Sequence, residues 1–257
     1  MNTLTLPLIQ RLGRAACRLR TASRLHRALA ACATALVAAA AVAPAYGADT
    51  DSIVKAVKFD DDKRIAKLLA QGADPNMTTP DKLHMPLIVL AAREKSDKVA
   101  KVLASNPKTD LDKVDSADEN AMMLAALNGD MDLVKLLIDK DAEVNKKGWA
   151  PLHYAAANGH DDIVQLLIDH SAYLDTPSPN GTTPLMMAAR GNHITTMKVL
   201  LDAGADPRVK NQIGMTALDF AKQYHAKDAT EGLEAMFARD AASASAVAPA
   251  SGQNGAK

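Results

Sequence analysis

One motif returns along this chain at a fixed interval. Ala150, Pro151, Leu152, His153 and Ala155 open it, Thr183, Pro184, Leu185, Met186, Met187, Ala188 and Ala189 repeat it, and Thr216, Ala217, Leu218, Phe220 and Ala221 repeat it again. By subtraction, Pro151 to Pro184 and Pro184 to Ala217 are each 33 residues. A period of this size marks a chain built from stacked copies of one supersecondary unit. The unit is legible around Trp149 to Ile168. A short helix from Pro151 is followed by a turn at Asn158, Gly159 and His160, and then by Ile163, Val164, Leu166, Leu167 and Ile168 at helical spacing. That second helix carries one apolar stripe, which a lone helix pair cannot bury, so each unit needs neighbours.

The motif resembles the T-P-L-H-x-A start of the ankyrin repeat, and Gly72, Ala73, Asp74, Pro75 and Asn76 match that family's G-A-D-x-N tail. Looser copies begin near Pro86, Leu87, Ala91 and Ala92, and near Asn120, Ala121, Met122, Met123, Leu124, Ala125, Ala126 and Gly129. The resemblance covers about residues 51 to 237. It implies an all-α solenoid of six helix-turn-helix repeats joined by short β-hairpin loops, with repeats near 51–76, 80–110, 115–145, 146–175, 178–208 and 211–239. Composition agrees: aromatic residues make up 3% of the chain and hydrophobic ones 48%, so the core must be Leu, Ala, Val, Ile and Met packed between helices. A strand-rich fold would want more aromatic and β-branched residues.

Residues 1–47 read as an export address. Arg11, Arg14, Arg18, Arg20, Arg24 and Arg27 precede an apolar run from Ala28 to Ala43, and small residues at Ala43, Ala45 and Gly47 suit a signal peptidase. At 16 residues the run is short of the roughly 20 a spanning helix requires. Leu29, Ala30, Ala31 and Cys32 resemble a lipoprotein box, but stand at the start of the run, where a lipidated cysteine should follow it. Cleavage after Ala45 or Gly47 would remove six of 30 basic residues and no acids, leaving 24 against 30 and a formal charge of −6. Cys17 and Cys32 would leave too, so the exported chain would have no disulfide and no thiol nucleophile or ligand. An acidic domain disfavours nucleic acid and favours a basic partner. A periplasmic or secreted location is the expectation, with membrane contact only during export.

Several copies depart from the pattern. Asp60, Asp61 and Asp62 stand where a helix begins, favoured there by its positive end, while Lys55, Lys58, Lys63 and Arg64 suit a terminal cap. In the second repeat, Met77 to Leu83 replaces the usual hairpin, and one residue more separates Pro86-Leu87 from Ala91-Ala92 than in the copy at Pro151. Glu94, Lys95 and Ser96 occupy the place of the turn glycine, which predicts a distorted turn. Asn106 to Asp110 and Asp115 to Glu119 also lack their glycines. Ala121 to Pro151 spans only 30 residues, so the hairpin carrying Trp149 must be clipped. Gly191 and Asn192 reverse the order of Asn158 and Gly159. In the fifth repeat Thr183 can cap its helix and Pro184 takes the first helical position. The last repeat ends in a polar cap with Lys222, Gln223, Lys227, Asp228 and Glu231, and 240–257, rich in Ala, Ser, Pro and Gly, reads as a disordered tail.

The resemblance assigns structural duty to Pro151, Leu152, His153, Gly159, Thr183, Pro184, Leu185 and Thr216, with His153 hydrogen-bonding between repeats and His160 filling the turn. Met123 and Met186 replace the first histidine beside Met122 and Met187. Met and His together can hold copper, yet Met also fills packed slots, and no metal or cofactor is expected. No Gly-x-Ser-x-Gly, His-Glu-x-x-His or phosphate loop follows Gly47, so no catalytic residue is assigned and no small-molecule substrate is expected. Ankyrin repeats present first helices and hairpin tips as one concave surface, which here holds Asp118, Lys147, Trp149, Asn158, Asn180, Arg190, Gln212 and Lys222. Trp149 can serve as a binding anchor or pack over Tyr154. The expected function is non-enzymatic protein binding, as a periplasmic adaptor or stabiliser. An immunity-type inhibitor of a toxic enzyme and a Met/His metal-binding protein are the alternatives.

Overall fold

The computed structural model describes residues 50–247, and the export segment expected at 1–47 lies outside them, as do residues 248–257. Twelve helices form six pairs among the described residues. The first helices of the pairs are α1 (Thr50–Lys58), α3 (Leu87–Glu94), α5 (Ala121–Asn128), α7 (Pro151–Asn158), α9 (Pro184–Arg190) and α11 (Ala217–Gln223). Their partners are α2 (Asp62–Ala70), α4 (Asp97–Ala104), α6 (Met131–Asp139), α8 (Asp161–Asp169), α10 (Ile194–Asp202) and α12 (Lys227–Val247). First helices stack on first helices and second on second, so the all-α solenoid is the fold. First helices approach each other more closely than second helices do. Their facing positions are small, with Ala125, Ala155, Ala188 and Ala221 fully buried, and small side chains let backbones come together. Each second helix adds an amphipathic stripe: in α8, Ile163, Val164 and Leu167 are buried, each worth about 1.5–3 kcal/mol.

The turn between the helices of every pair contains one left-handed residue: Asp60, Lys95, Gly129, Gly159, Asn192 and His225, with φ of 53°, 56°, 73°, 72°, 58° and 57°. The turn at Lys95 is therefore regular rather than distorted, since lysine simply adopts the glycine conformation. Asn192 does the same, and Gly191 beside it has an ordinary φ of −81°. Glycine is needed only where the next repeat demands space. A Cβ on Gly129 would lie 2.7 Å from the His160 ring, and one on Gly159 would lie 2.5 Å from His193. His160 and His193 use that space to donate from Nε2 to Leu127 O and Ala157 O, at 3.1 and 3.0 Å. Where the following repeat has no histidine there, a side chain is accommodated. Asp60 and Asn192 even reach across, accepting from Val99 N and Ala229 N at 2.9 Å each, and so cap the starts of α4 and α12.

On the opposite side a second row of side chains ties each repeat to the next. Asn76 accepts from Asp110 N (2.8 Å), Asp112 from Glu143 N (2.8 Å), Asn145 from Tyr173 N (2.8 Å) and Asp175 from Asp206 N (3.1 Å). Three residues after Asp112 and Asp175, Asp115 and Ser178 form the bases of the next loop tips. Asn145 stands six residues before Pro151, as Asp115 and Ser178 do before Ala121 and Pro184, but its bonds run to Ser171 O and Tyr173 N of the next repeat. The three residues missing before Pro151 are those that normally separate ladder from tip, which is how the clipped loop keeps its inter-repeat bond.

Three expectations need correction. Pro86 is the N-cap of α3 rather than its first residue, so Leu87 matches Pro151 and no extra residue exists; the matching Ala91 and Ala92 are buried at 0% and 2% exposure. The loop from Met77, expected to replace the hairpin, is the most hairpin-like, with an antiparallel bridge between Thr78 and Pro86 and Thr79 N bonded to Met85 O at 2.9 Å. At Asp115, Ser178 and Asn211 one backbone bond to the residue four further on closes the tip, with no strand pair. Finally, α12 runs to Val247, past the boundary placed at 239, because Ala-rich sequence is a strong helix former even where it buries little.

Replacing Gly159 with Ala should cost more than 2 kcal/mol, from its positive φ and the clash with His193 together, and only about 1 kcal/mol in a His193→Ala background. Lys95→Gly should leave stability unchanged or raise it by up to about 1 kcal/mol. Urea unfolding midpoints of the variants check both.

Candidate functional site

From α3 to α11 the seventh residue of each first helix is exposed or half-buried, whereas the fourth is half-buried only in α7 and α9 and is buried at Ile53, Leu90, Leu124 and Phe220. The seventh-residue row reads Arg93, Leu127, Ala157, Arg190 and Gln223, and the fourth-residue row includes Tyr154 and Met187. Ala157 is the smallest member, and the space it leaves becomes a cleft of about 190 Å³ lined by Leu127, Trp149, His153, Tyr154, Ala157 and Met187. Trp149, half-buried, meets the His153 ring at 5.2 Å and the Tyr154 ring at 6.3 Å, edge to face in both cases. It packs over Tyr154, as one expectation had it, and also lines the open cleft. Tyr154 donates to Glu119 Oε1 at 2.9 Å. Burial, that bond and the nearby charges of Glu119, Asp115 and Asp118 push its phenol pKa well above the usual value, so it remains a donor.

His153 is the floor of this region. Fully buried, it accepts at Nδ1 from Ala150 N (3.1 Å) and donates from Nε2 to Thr182 O of the next repeat (2.9 Å). Burial lowers its pKa, and the neutral tautomer satisfies both bonds. In the next repeat Met186 takes the same place, its sulfur accepting from Thr183 N at 3.4 Å. Met122, Met123 and Met186 are at most 1% exposed, so their thioethers are core packing. Among the described residues no three His, Cys, Asp or Glu side chains gather as a metal would require.

The other residues expected on the concave surface are all exposed but differ in freedom. Asn158 donates to Leu127 O (2.7 Å) and Gln212 to Pro179 O (2.7 Å), both ties between repeats. Asn180 shapes its own turn, accepting from Ser178 Oγ at 2.5 Å. Asp118, with φ of 64°, pairs with Lys146 Nζ at 2.5 Å, and Lys222 pairs with Glu234 at 2.8 Å. Arg190 lies over the Tyr224 ring, 4.7 Å from its centroid. Lys147 is exposed. Sequence reasoning named Tyr154 only as a packing partner of Trp149 and missed Ala157 and Glu119, which with it form the cleft and its edge, and Tyr224 beneath Arg190. Their signal was the position of each within its 33-residue repeat.

Of the motif residues, Pro151 and Pro184 are first helical residues, Leu152 and Leu185 are buried, and Thr183 Oγ1 accepts from Met186 N at 3.4 Å. Thr216 and Asp219 cap α11 reciprocally, and those bonds from Thr216 hold the Asp219 pKa below its usual value.

Family models for ankyrin repeats match residues 53–147, 87–178 and 167–221. This chain is an ankyrin-repeat protein. Like the family it is a protein-protein interaction module, a class of generally non-enzymatic proteins. It is 30% identical over 147 residues to the nuclear factor NF-kappa-B p105 subunit of Mus musculus, covering 54% of this chain and 15% of that one. It is 30% identical over 167 residues to SH3 and multiple ankyrin repeat domains protein 2 of Homo sapiens, covering 63% and 9%. It is 34% identical over 110 residues to the BCL-6 corepressor-like protein 1 of Homo sapiens, covering 41% and 6%. The chain thus spans less than a fifth of these relatives' own lengths.

Because folding lowers the His153 pKa, the unfolded chain takes up the proton first as pH falls. The contribution of His153 is complete above 6.5, its free value, and declines as pH drops through the folded value. Urea midpoints measured at about pH 7.5 and about pH 5 should fall on acidification in the natural protein. His153→Leu should lose about 2–3 kcal/mol at the higher pH, leaving Ala150 N and Thr182 O unpaired, and should lose less on acidification.

Proposed function

We infer that this ankyrin protein is exported and works without catalysis, as a periplasmic adaptor or stabiliser that holds another protein on its first-helix face. The observation that carries the reading is the half-buried Trp149, the chain's single tryptophan, standing at an open apolar cleft on that face. A large amphipathic ring at the centre of an exposed surface is the usual form of a binding hot spot. Export is supported by the arginine-rich start, the apolar run Ala28–Ala43 and the small residues at Ala43, Ala45 and Gly47. The two cysteines fall within that start, which leaves a thiol-free domain suited to an oxidising compartment. No described helix is long and apolar enough to cross a membrane. The formal charge of −6 expected after cleavage favours, as a second reading, an inhibitor that covers a basic enzyme.

The test is capture from a periplasmic fraction with the full-length protein carrying a C-terminal tag. One partner recovered near stoichiometry is expected, with Trp149→Ala weakening its capture by about 2 kcal/mol or some thirtyfold. Precursor found uncut in the cytoplasm would overturn export. Capture indifferent to Trp149→Ala, and to Arg190→Ala with Lys147→Ala, would overturn the face.

A further inference from the structure

The cleft beside Trp149 has apolar walls and an acidic edge. Its walls are Leu127, Ala157, Met187 and the rings of Trp149 and Tyr154, set nearly perpendicular at 79°. At the edge, Glu119 accepts the Tyr154 hydroxyl, and behind it, bonded to the Glu119 amide, Asp115 carries the one buried side-chain oxygen among the described residues without a hydrogen-bond partner. Asp115 is 5% exposed; its Oδ1 accepts from Ala117 N (2.8 Å) and Glu119 N (3.1 Å), while Oδ2 has no donor. A buried carboxylate oxygen left unpaired is costly, by about 1–3 kcal/mol or more for a charged group. The cations on this stretch are committed elsewhere or turned out: Lys146 pairs with Asp118, Arg190 lies on Tyr224, and Lys147 is exposed at the tip. Among the described residues Glu119 and Asp115 form no ion pair, so no cation is seated against either carboxylate there.

We propose that this cleft receives an arginine side chain from a basic segment of the partner protein, its aliphatic stem against Leu127, Ala157 and Met187 and its guanidinium between the aromatic rings and the carboxylate of Glu119, with the buried negative charge of Asp115 behind it. The inference rests on the binding-module reading and gives its partner a chemistry. Arginine fits better than lysine because its flat, weakly hydrated head stacks on aromatic faces while its fork of N–H donors reaches two acceptors. The chain already uses this pairing twice within itself, with Arg190 over Tyr224 and Arg208 over Phe237 at 4.7 and 5.1 Å. A purely apolar side chain would fill the space and leave both carboxylates unmatched.

Because Trp149 is the only tryptophan in the chain, its fluorescence reports this cleft alone. The full-length protein is titrated with acetyl-Gly-Arg-Gly-amide, and with the same peptide carrying norleucine, which keeps the stem and removes the charge. The arginine peptide should shift the emission saturably with Kd on the order of 1 mM, and norleucine should bind about tenfold more weakly. Glu119→Gln and Asp115→Asn retain oxygens for Tyr154 and for the Ala117 and Glu119 amides, so the fold is kept; each should weaken arginine binding severalfold and leave norleucine unchanged. Equal binding of the two peptides, no saturable response to arginine at tens of millimolar, or arginine binding indifferent to both substitutions would each overturn the proposal. Loss of partner capture in Trp149→Ala without arginine selectivity would sink this inference and leave the binding module standing. Arginine selectivity with no partner captured would do the reverse.

Discussion

Every helix pair in this chain has an apolar face that only the next pair can cover. A stripe such as Ile163, Val164 and Leu167 on α8 is too much to leave in water and too narrow to close on itself, so folding proceeds by addition of neighbours. The regularity of the stack follows from that constraint. Close approach of the first helices requires alanine at Ala125, Ala155, Ala188 and Ala221, and where one seventh-row position also becomes small, at Ala157, the surface opens into a cleft. Packing and the candidate site therefore have one origin: the distance between first helices is set by what their facing residues allow.

Polar groups then fix the register that apolar contact leaves loose. Hydrophobic burial is non-directional, whereas His153, bonded to Ala150 N and Thr182 O, accepts one alignment of adjacent repeats only. The side-chain-to-backbone row from Asn76 to Asp175 does the same along the other side, and the turn histidines His160 and His193 add a third tie. Each bond is modest, about 1 kcal/mol net, but together they run the length of the stack. Asn145, which donates to Ser171 O and accepts from Tyr173 N, shows how a three-residue deletion is absorbed without breaking the row.

Much of this was legible in the residues. The 33-residue steps predicted the fold, and Pro151, Pro184, Thr183 and Thr216 predicted helix starts, because such signals act within one turn of chain. The turn at Lys95 was misjudged for a definite reason, whereas the reversed pair Gly191-Asn192 is absorbed by its turn, with Asn192 in the left-handed conformation. A positive φ costs lysine only about 1–2 kcal/mol and asparagine less, and whether glycine is obligatory depends on a histidine about 30 residues further on. The register of Pro86 was misread because Pro-Leu resembles the motif whether proline is the N-cap or the first helical residue. The site was only partly legible: Trp149 stood out by its rarity, whereas Tyr154, Glu119 and Ala157 look like ordinary members of their repeats.

The sequence by itself determined the number of repeats, the type and order of the helices, the identity of the core and the acidic balance of the part that follows residue 47, since periodicity, capping and charge are local or additive properties. Only the tertiary structure decided which exposed polar residues are spent on ties between repeats, where the cleft opens, and that Asp115 keeps an unpartnered oxygen near it. Those features depend on side chains about 30 residues apart being brought together by stacking, and nothing in either residue's own neighbourhood along the chain encodes that meeting.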